Sequence, residues 1–411
     1  MRAAKDDPGT LLISVTGADK PGITSRLTGI LAEHDIPIRD MEQVTSGGNL
    51  TLSILIDAAD EPHHPFYKDF IFAAWELGVH ADFRPSPRTH HDKPSAESTY
   101  AMTLFGDEIS ARIISEVTRV LADEGMNIDR IHQLSDNRFS CIEMILSSTQ
   151  PVAPGHLKRL LLPHSRAHEV NLALQRENVY RRVKRLIVFD MDSTLVQGEV
   201  IDALARRAGV GAQVEAVTRR AMAGRLDFEA SLRRRVGLLK GLREADLSAV
   251  REGMELTPGA YEVITVLKRL GYRIGVISGG FSYFTDWLKR RLGLDYAYGN
   301  VLEMVDGVVT GRVKGEVIDA ERKGDLLEHI ASLESISLDQ VIAVGDGAND
   351  LKMLERAGLG IAFNAKAAVR DAADHAINGP HLHAILYLLG LREHELRALL
   401  ADDSASRGSR I

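Results

Sequence analysis

A chain of 411 residues exceeds one ordinary domain of about 150 residues, and 45% hydrophobic with 26% charged residues is the mix of a globular protein, not of a disordered or collagen-like chain. A net charge of −7 argues against a nucleic-acid binder, which carries a basic balance, and the single cysteine, Cys141, excludes an internal disulfide. The N-terminus is charged and lacks an apolar signal-peptide core, and no apolar run approaches the roughly 18 residues of a membrane span, so a soluble, cytoplasmic, multidomain protein is expected, with no membrane partner.

The first half contains a repeat. Leu31-Ala32-Glu33-His34-Asp35-Ile36-Pro37-Ile38 lies over Leu121-Ala122-Asp123-Glu124-Gly125-Met126-Asn127-Ile128, and the same offset carries Gln43 onto Gln133 and Ile54 onto Met144. Each copy opens with an alternating strand (Leu11 to Val15; Ala101 to Phe105) and continues with helical apolar spacing (Ile23, Leu27, Ile30, Leu31; Ile113, Val117, Val120, Leu121). A strand, a polar turn (Ser46-Gly47-Gly48-Asn49; Ser135-Asp136-Asn137) and a second strand then read as a hairpin. A second helix, from about Pro65 to Leu77 and from about Pro154 to Leu162, and a last strand complete β-α-β-β-α-β, a ferredoxin-like sandwich, in each copy. The Pro-containing stretch from Arg84 to Ser98 reads as a linker. His63-His64 and His90-His91-Asp92 read as solvated loop, Cys141 as strand core, and Trp75 and Trp287 as packing on helical faces.

A different grammar begins near Arg181. Three short apolar runs, Leu186 to Phe189, Arg273 to Ile277 and Gln340 to Val344, are separated by helical stretches, the pattern of a doubly wound α/β domain with a parallel sheet. The segment from about Gly198 to Glu255 has helical periodicity without a strand signal and reads as a helical cap over the sheet. The expected boundaries are 1–88 and 97–178 for the two sandwiches, 181–398 for the α/β domain with its cap at about 199–255, and 399–411 for a disordered tail of small polar residues.

In such sheets ligands bind beyond the carboxyl ends of the strands. Asp190-Met191-Asp192-Ser193-Thr194 follows the first run, Ser278-Gly279-Gly280 the second, and Gly345-Asp346-Gly347-Ala348-Asn349-Asp350 the third, with Lys323 in a charged stretch between the last two. Each motif by itself is an ordinary turn, helix cap or surface lysine; their order, each after an apolar run, makes them a set. Gathered carboxylates repel unless a cation joins them, and hard oxygen ligands suit Mg²⁺. A carboxylate beside such an ion can attack phosphorus, while serine, glycine amides and a lysine ammonium hold the phosphoryl oxygens. In the cap, Glu199 and one arginine of Leu232-Arg233-Arg234-Arg235-Val236 could bind an ammonium and a carboxylate, which would select a zwitterionic amino-acid phosphate.

This constellation resembles the haloacid dehalogenase superfamily, and the run from about Lys184 to Ala365 looks like its phosphoserine phosphatase branch, with Ala221-Met222, Leu226-Asp227-Phe228 and Gly293-Leu294-Asp295-Tyr296-Ala297 adding to the motifs. The resemblance implies that Asp190 is the nucleophile and that Asp192 protonates the leaving alkoxide and later activates water. It implies Mg²⁺ on the Asp190 carboxylate, the Asp192 backbone carbonyl and Asp346, with Asp350 holding a metal-bound water or Lys323. It also implies Glu199 on the substrate amino group and Arg235 on its carboxylate. Ser278, Gly279, Lys323 and Asn349 would lie on the phosphate, and Met222 and Phe228 would form an apolar lid. The implied reaction is Mg²⁺-dependent hydrolysis of O-phospho-L-serine, the last step of L-serine biosynthesis. Phosphate transfer to another alcohol, hydrolysis of another small ester or of a phosphoprotein, and an amino-acid sensor with a vestigial catalytic domain stand as alternatives.

The N-terminal copies resemble ACT domains, amino-acid-sensing modules that associate side by side, which implies a homodimer. The first has Gly17-Ala18-Asp19-Lys20-Pro21-Gly22-Ile23, the loop that family uses for ligands, so that L-serine near Asp19 and Gly22 is the implied effector. The second has Arg112 where Gly22 maps and lacks the Pro-Gly pair.

Overall fold

The computed structural model describes residues 10–57, 64–86, 98–135, 140–222, 224–373, 375–379 and 381–407. His63 and His90-His91-Asp92, most of the expected linker and part of the second hairpin turn lie outside the described residues. The chain divides into two compact units, Met1–Ser95 and Ala96–Ile411.

The first unit runs β1 (Thr10–Ala18), α1 (Ile23–Glu33), β2 (Ile38–Ser46), β3 (Asn49–Asp57), α2 (Phe66–Leu77) and β4 (Val79–Ser86), with sheet order β2-β3-β1-β4, all pairs antiparallel. Alternate residues face one way along a strand. Ile13 and Val15 of β1 and Leu52, Ile54 and Ile56 of β3 therefore bury against Leu27 and Ile30 of α1 and Phe66 and Phe70 of α2. Trp75 departs from the expected packing: it is 74% exposed, on the outer side of α2 beside Phe72. The core stripe of α2 ends at Ala73 and Ala74, and the indole projects past it.

The second unit opens with the other sandwich: β5 (Ser98–Gly106), α3 (Ala111–Asp123), β6 (Asn127–Gln133), β7 (Ser140–Ser148), α4 (Pro154–Ala167) and β8 (Asn171–Arg176), in the order β6-β7-β5-β8. Its central strand β5 is buried on both faces, unlike β1, because its second face meets the α/β domain. Phe105, Cys141 and Ala173 belong to the same core as Ile377 and Leu388, so Cys141 is core, as expected.

The α/β domain follows, entered through the one-turn helix α5 (Val179–Arg182) and the central strand β9 (Leu186–Phe189). The cap is α6 (Val200–Arg207), α7 (Gly211–Met222), α8 (Phe228–Leu238) and α9 (Glu244–Glu252), helical as its periodicity requires. Then come α10 (Ala260–Arg269), β10 (Arg273–Phe281), α11 (Ser282–Leu292), β11 (Tyr296–Val305), β12 (Val308–Lys314), α12 (Ala320–Leu333), β13 (Val341–Gly345), α13 (Leu351–Arg356), β14 (Leu359–Phe363), α14 (Ala367–Ala372), β15 (His375–Ile377), α15 (Ala384–Leu388) and α16 (Glu393–Arg407). The sheet order is β12-β11-β10-β9-β13-β14-β15. The pairs from β11 to β15 are parallel, but β12 pairs antiparallel with β11, so the expected parallel sheet carries one reversed edge. Helix α16 reaches Arg407, into the stretch expected to be a disordered tail; its N-terminal part packs Leu396 into the core, and the helix continues past that anchor.

Candidate active site

Strand β9 lies between β10 and β13, so chain connections leave it in opposite directions at its carboxyl end, where a crevice opens. Asp190 is the first residue beyond β9, and its N–H donates to the Val344 carbonyl at 2.8 Å, tying the first motif to β13. Ser278 ends the continuous buried run of β10, and Asp346 follows β13. All three motifs therefore meet at one mouth. Asp190, Asp192, Glu199, Phe228, Arg235, Ser278, Gly279, Asp346 and Asn349 line a single cavity of about 730 Å³.

Beneath the cavity Lys323 bridges two carboxylates. The Lys323 Nζ donates to Asp190 Oδ1 and to Asp350 Oδ1, both at 2.6 Å, and the lysine is fully buried behind them. Burial opposes its charge, but Asp190 and Asp350 outweigh that and hold the ammonium more firmly protonated than a free lysine. Asp350 also accepts from the Gly347 N–H at 2.9 Å, which locks the third motif's loop. Lys323, which the resemblance placed on the phosphate, lies against Asp190 and is not among the residues lining the cavity.

Asp192 accepts from the Val200 N–H at 2.9 Å and from the Ser278 hydroxyl at 3.4 Å. Burial, and then Glu199, push its carboxyl up to about 7, where a general acid works well at neutral pH. Burial, Asp350 and Glu199 likewise raise Asp346 to about 6, and burial with Asp350 raises Asp190 well above the ordinary range. The carboxylates of Asp190, Asp346 and Asp350 offer oxygens within 4.8 Å of one another. Hard oxygen donors whose charges are mutually unfavourable are a fit donor set for Mg²⁺. Thr194 donates to Asp346 at 3.2 Å and orients it.

The Ser278 end of the cavity is shaped by glycine. A Cβ on Gly279 would stand 2.9 Å from the Phe228 ring, and one on Gly280 would stand 2.9 Å from Asp192 Oδ2, so only bare backbone lets cap and acid approach this turn. Asn300, which sequence reading missed, clamps the turn: its Nδ2 donates to the Gly279 carbonyl and its Oδ1 accepts from Ile318, both at 2.8 Å. An isolated asparagine on a strand gives no sequence signal.

The cap supplies the other end. Ser193 holds a left-handed backbone, φ 59°, and its hydroxyl donates to Glu199 Oε1 at 3.1 Å. A non-glycine residue kept there marks a turn whose surroundings hold it, and this turn presents Glu199. Of the three arginines on α8, Arg233 and Arg234 are exposed and Arg235 turns inward. The Arg235 Nε is buried without a hydrogen-bond partner among the described residues. Asp202, also missed, lines the cavity and with Glu199 supports the Arg235 charge against burial, which lowers it. Met222 ends α7, and its side chain lies outside the described residues.

In the first unit, Gly22 has φ 97° and starts α1 without a side-chain cap, and Asp19 is exposed beside it, its N–H donating to Gly48. At the corresponding start of α3, Ser110 takes extended backbone in place of the left-handed glycine, also without a side-chain cap, and Arg112 points to solvent near Glu116. Among the described residues no helix is long and apolar enough to cross a membrane.

Comparison with known proteins agrees with this geometry. The haloacid dehalogenase-like hydrolase family matches residues 184–358, and ACT domain families match residues 9–84 and 98–175. A phosphoserine phosphatase of Streptomyces coelicolor is 41% identical over 403 residues, covering 97% of this chain and 96% of that protein. One of Mycobacterium tuberculosis is 43% identical over 399 residues, covering 97% of both. Among solved structures, a probable phosphoserine phosphatase from Vibrio cholerae in unliganded form is 37% identical, with TM-score 0.56 over 71% of this chain and 86% of that one. The chain belongs to the phosphoserine phosphatases of the haloacid dehalogenase-like hydrolase family, with two N-terminal ACT domains.

Proposed function

We propose that the protein hydrolyses O-phospho-L-serine to L-serine and phosphate, with Mg²⁺, through an aspartyl phosphate on Asp190. The observation that carries this reading is one cavity holding a buried nucleophilic carboxylate at one end and, at the other, Glu199 beside an Arg235 whose Nε lacks a partner. That second end is a complement to an ammonium and a carboxylate on the same carbon. The relatives named phosphoserine phosphatase, nearly full-length matches, support the substrate.

In the first step an Asp190 oxygen attacks phosphorus and the bond to the serine oxygen breaks. Asp192, protonated near neutrality, gives its proton to the departing alkoxide. Ser278 and the Gly279 and Asn349 groups hold the phosphoryl oxygens, and the Lys323 ammonium fixes the Asp190 carboxylate for attack. In the second step Asp192, now ionised, takes a proton from the water that attacks the aspartyl phosphate, and Asp190 is restored. Phe228 against Gly279 excludes bulk water from the ester. Asp190, Asp346 and the Asp192 carbonyl would hold Mg²⁺, which supplies positive charge to the phosphoryl oxygens.

Acid quenching of the protein during turnover of radiolabelled O-phospho-L-serine should leave phosphate covalently on the chain, and Asp190→Asn should leave none; label on the variant refutes the assignment. In the same reading L-serine binds near Asp19 and Gly22 and inhibits, and the chain pairs through its ACT domains. Calorimetric titration of the full chain with L-serine should give heat that Asp19→Asn reduces; absence of heat refutes the effector. Light scattering at a monomer mass refutes the dimer.

A further inference from the structure

Helix α8 turns one stripe toward the catalytic cavity. Phe228, Ser231, Leu232 and Arg235 line it, at the i, i+3, i+4 and i+7 spacing of a single helix face. Phe228 lies against the Gly279 turn, and Arg235 feels the charges of Glu199 and Asp202. Ser231 stands between these two positions along the helix.

Ser231 is 1% exposed, and its hydroxyl is buried without a hydrogen-bond partner among the described residues. The other two hydroxyls on the described lining are answered. Thr218 donates to the Val214 carbonyl at 3.1 Å, and Ser278 donates to Asp192 at 3.4 Å and accepts from the Gly280 N–H at 2.8 Å. A buried hydroxyl left unpaired costs stability, and alanine would fill nearly the same space without that cost.

Arg235 has the same deficit one turn further on, since its Nε is buried with no partner among the described residues. Side chains on a helix lean toward its N-terminus, which carries the Arg235 side chain back toward the turn that holds Ser231. Two unpaired donors on one face therefore address one part of the cavity. An ammonium, which only donates, cannot satisfy the Arg235 Nε; a carboxylate accepts from a guanidinium N–H and a hydroxyl together. Glu199 and Asp202 provide the acceptors for an ammonium instead.

We propose that Ser231 is a further specificity-determining residue of this cavity: its hydroxyl donates to the same substrate carboxylate that the Arg235 Nε holds, and the two groups together select phosphate esters that bear a carboxylate. The inference rests on the substrate reading above and deepens it. The hydroxyl acts in binding and takes no part in the transfer of the phosphoryl group.

The test is steady-state hydrolysis of O-phospho-L-serine by the full chain and by Ser231→Ala, with O-phosphoethanolamine, the same ester without its carboxylate, as competitor. Ser231→Ala should raise KM about tenfold, the worth of one hydrogen bond to a charged group, with kcat changed by less than about twofold. The inhibition constant of O-phosphoethanolamine should stay within about twofold of its wild-type value, because that ligand has nothing for the hydroxyl to hold. The thermal midpoint of the unliganded variant should equal or exceed that of wild type, since the change removes an unpaired hydroxyl and no bond. A KM left within about twofold, or an equal rise in the competitor's constant, overturns the role of Ser231 and leaves the substrate reading standing. A fall in the midpoint together with kcat means that Ser231 serves packing, and overturns the proposal as well. Wild type that fails to hydrolyse O-phospho-L-serine overturns the substrate reading and this role with it. Ser231→Cys, close in size but a weak donor, carries the same test if the alanine variant does not fold.

Discussion

Asp190 and Asp192 are two residues apart and stand in different surroundings. Asp190 leans on the Lys323 ammonium, while Asp192 faces Glu199 and takes only a backbone N–H and a weak hydroxyl contact. In the proposed mechanism the pair thus separates into a fixed nucleophile and a proton carrier. At the substrate's other end, Arg235→Lys keeps the charge but loses the planar fork. The loss of a charged hydrogen bond of about 1.5–3 kcal/mol should raise KM roughly 10- to 100-fold with a smaller change in kcat. Steady-state kinetics checks this; equal falls in kcat and kcat/KM would place Arg235 on the reacting group instead. Cys141 is fully buried, and burial followed by Glu143 pushes its thiol up to about 12. A thiol reagent should therefore find no reactive group in the native protein at pH 8 and one after denaturation.

At the scale of elements, α8 is the piece through which the cap would set specificity in the proposed reading, since Phe228 and Arg235 both ride on it. Its start is fixed by Asp227, whose carboxylate accepts from the Ala230 N–H at 2.6 Å. Asp227→Ala should cost about 1 kcal/mol of stability, read as a lower urea midpoint, with KM raised because the helix end carrying Phe228 frays. The apolar runs made β9, β10 and β13 legible in the sequence, and with them the ring of motifs, because buried parallel strands are continuous in hydrophobicity and their ends must change character. The edge strands were harder to read. β12 reverses direction through a hairpin turn, and β15 has only three residues, too few for periodicity to register. Asn300 and Asp202 act through contacts made only when distant segments meet, so nothing local marks them. The Lys323–Asp350 pair was one of the two partners the resemblance offered for Asp350, but the full burial of that pair is a matter of depth and not of order along the chain.

At the scale of the molecule, two copies of one supersecondary unit have come to different uses. The sequence repeat announces the duplication, but burial separates the copies. The first keeps the Gly22 turn, whereas β5 of the second is sealed on both faces. Gln175 donates to the Leu388 carbonyl and the Asn171 side chain to the Asn378 backbone carbonyl, both at 3.0 Å, so this copy is part of the α/β domain's frame. Lys184 lies at that seam, and burial takes its pKa from 10.5 to about 8. Between those values the unfolded chain binds more protons than the folded one, so stability should rise as pH goes from 8 to 10. Urea unfolding at a series of pH values measures this, and Lys184→Met should remove the rise; a wild-type slope equal to the variant's would mean the lysine is solvated in solution.

The central claim is that one cavity joins phosphoryl transfer to recognition of a zwitterion. Phosphate release from O-phospho-L-serine, with Mg²⁺ and with chelator, beside the D enantiomer, the phosphothreonine ester and a simple sugar phosphate, tests it most directly. The account predicts Mg²⁺-dependent release that is fastest from the L-serine ester, slow from the others, and lost by on the order of a thousandfold or more in Asp190→Asn. Equal or faster release from the sugar phosphate would contradict the roles given to Glu199 and Arg235, and release that persists in Asp190→Asn would contradict the nucleophile.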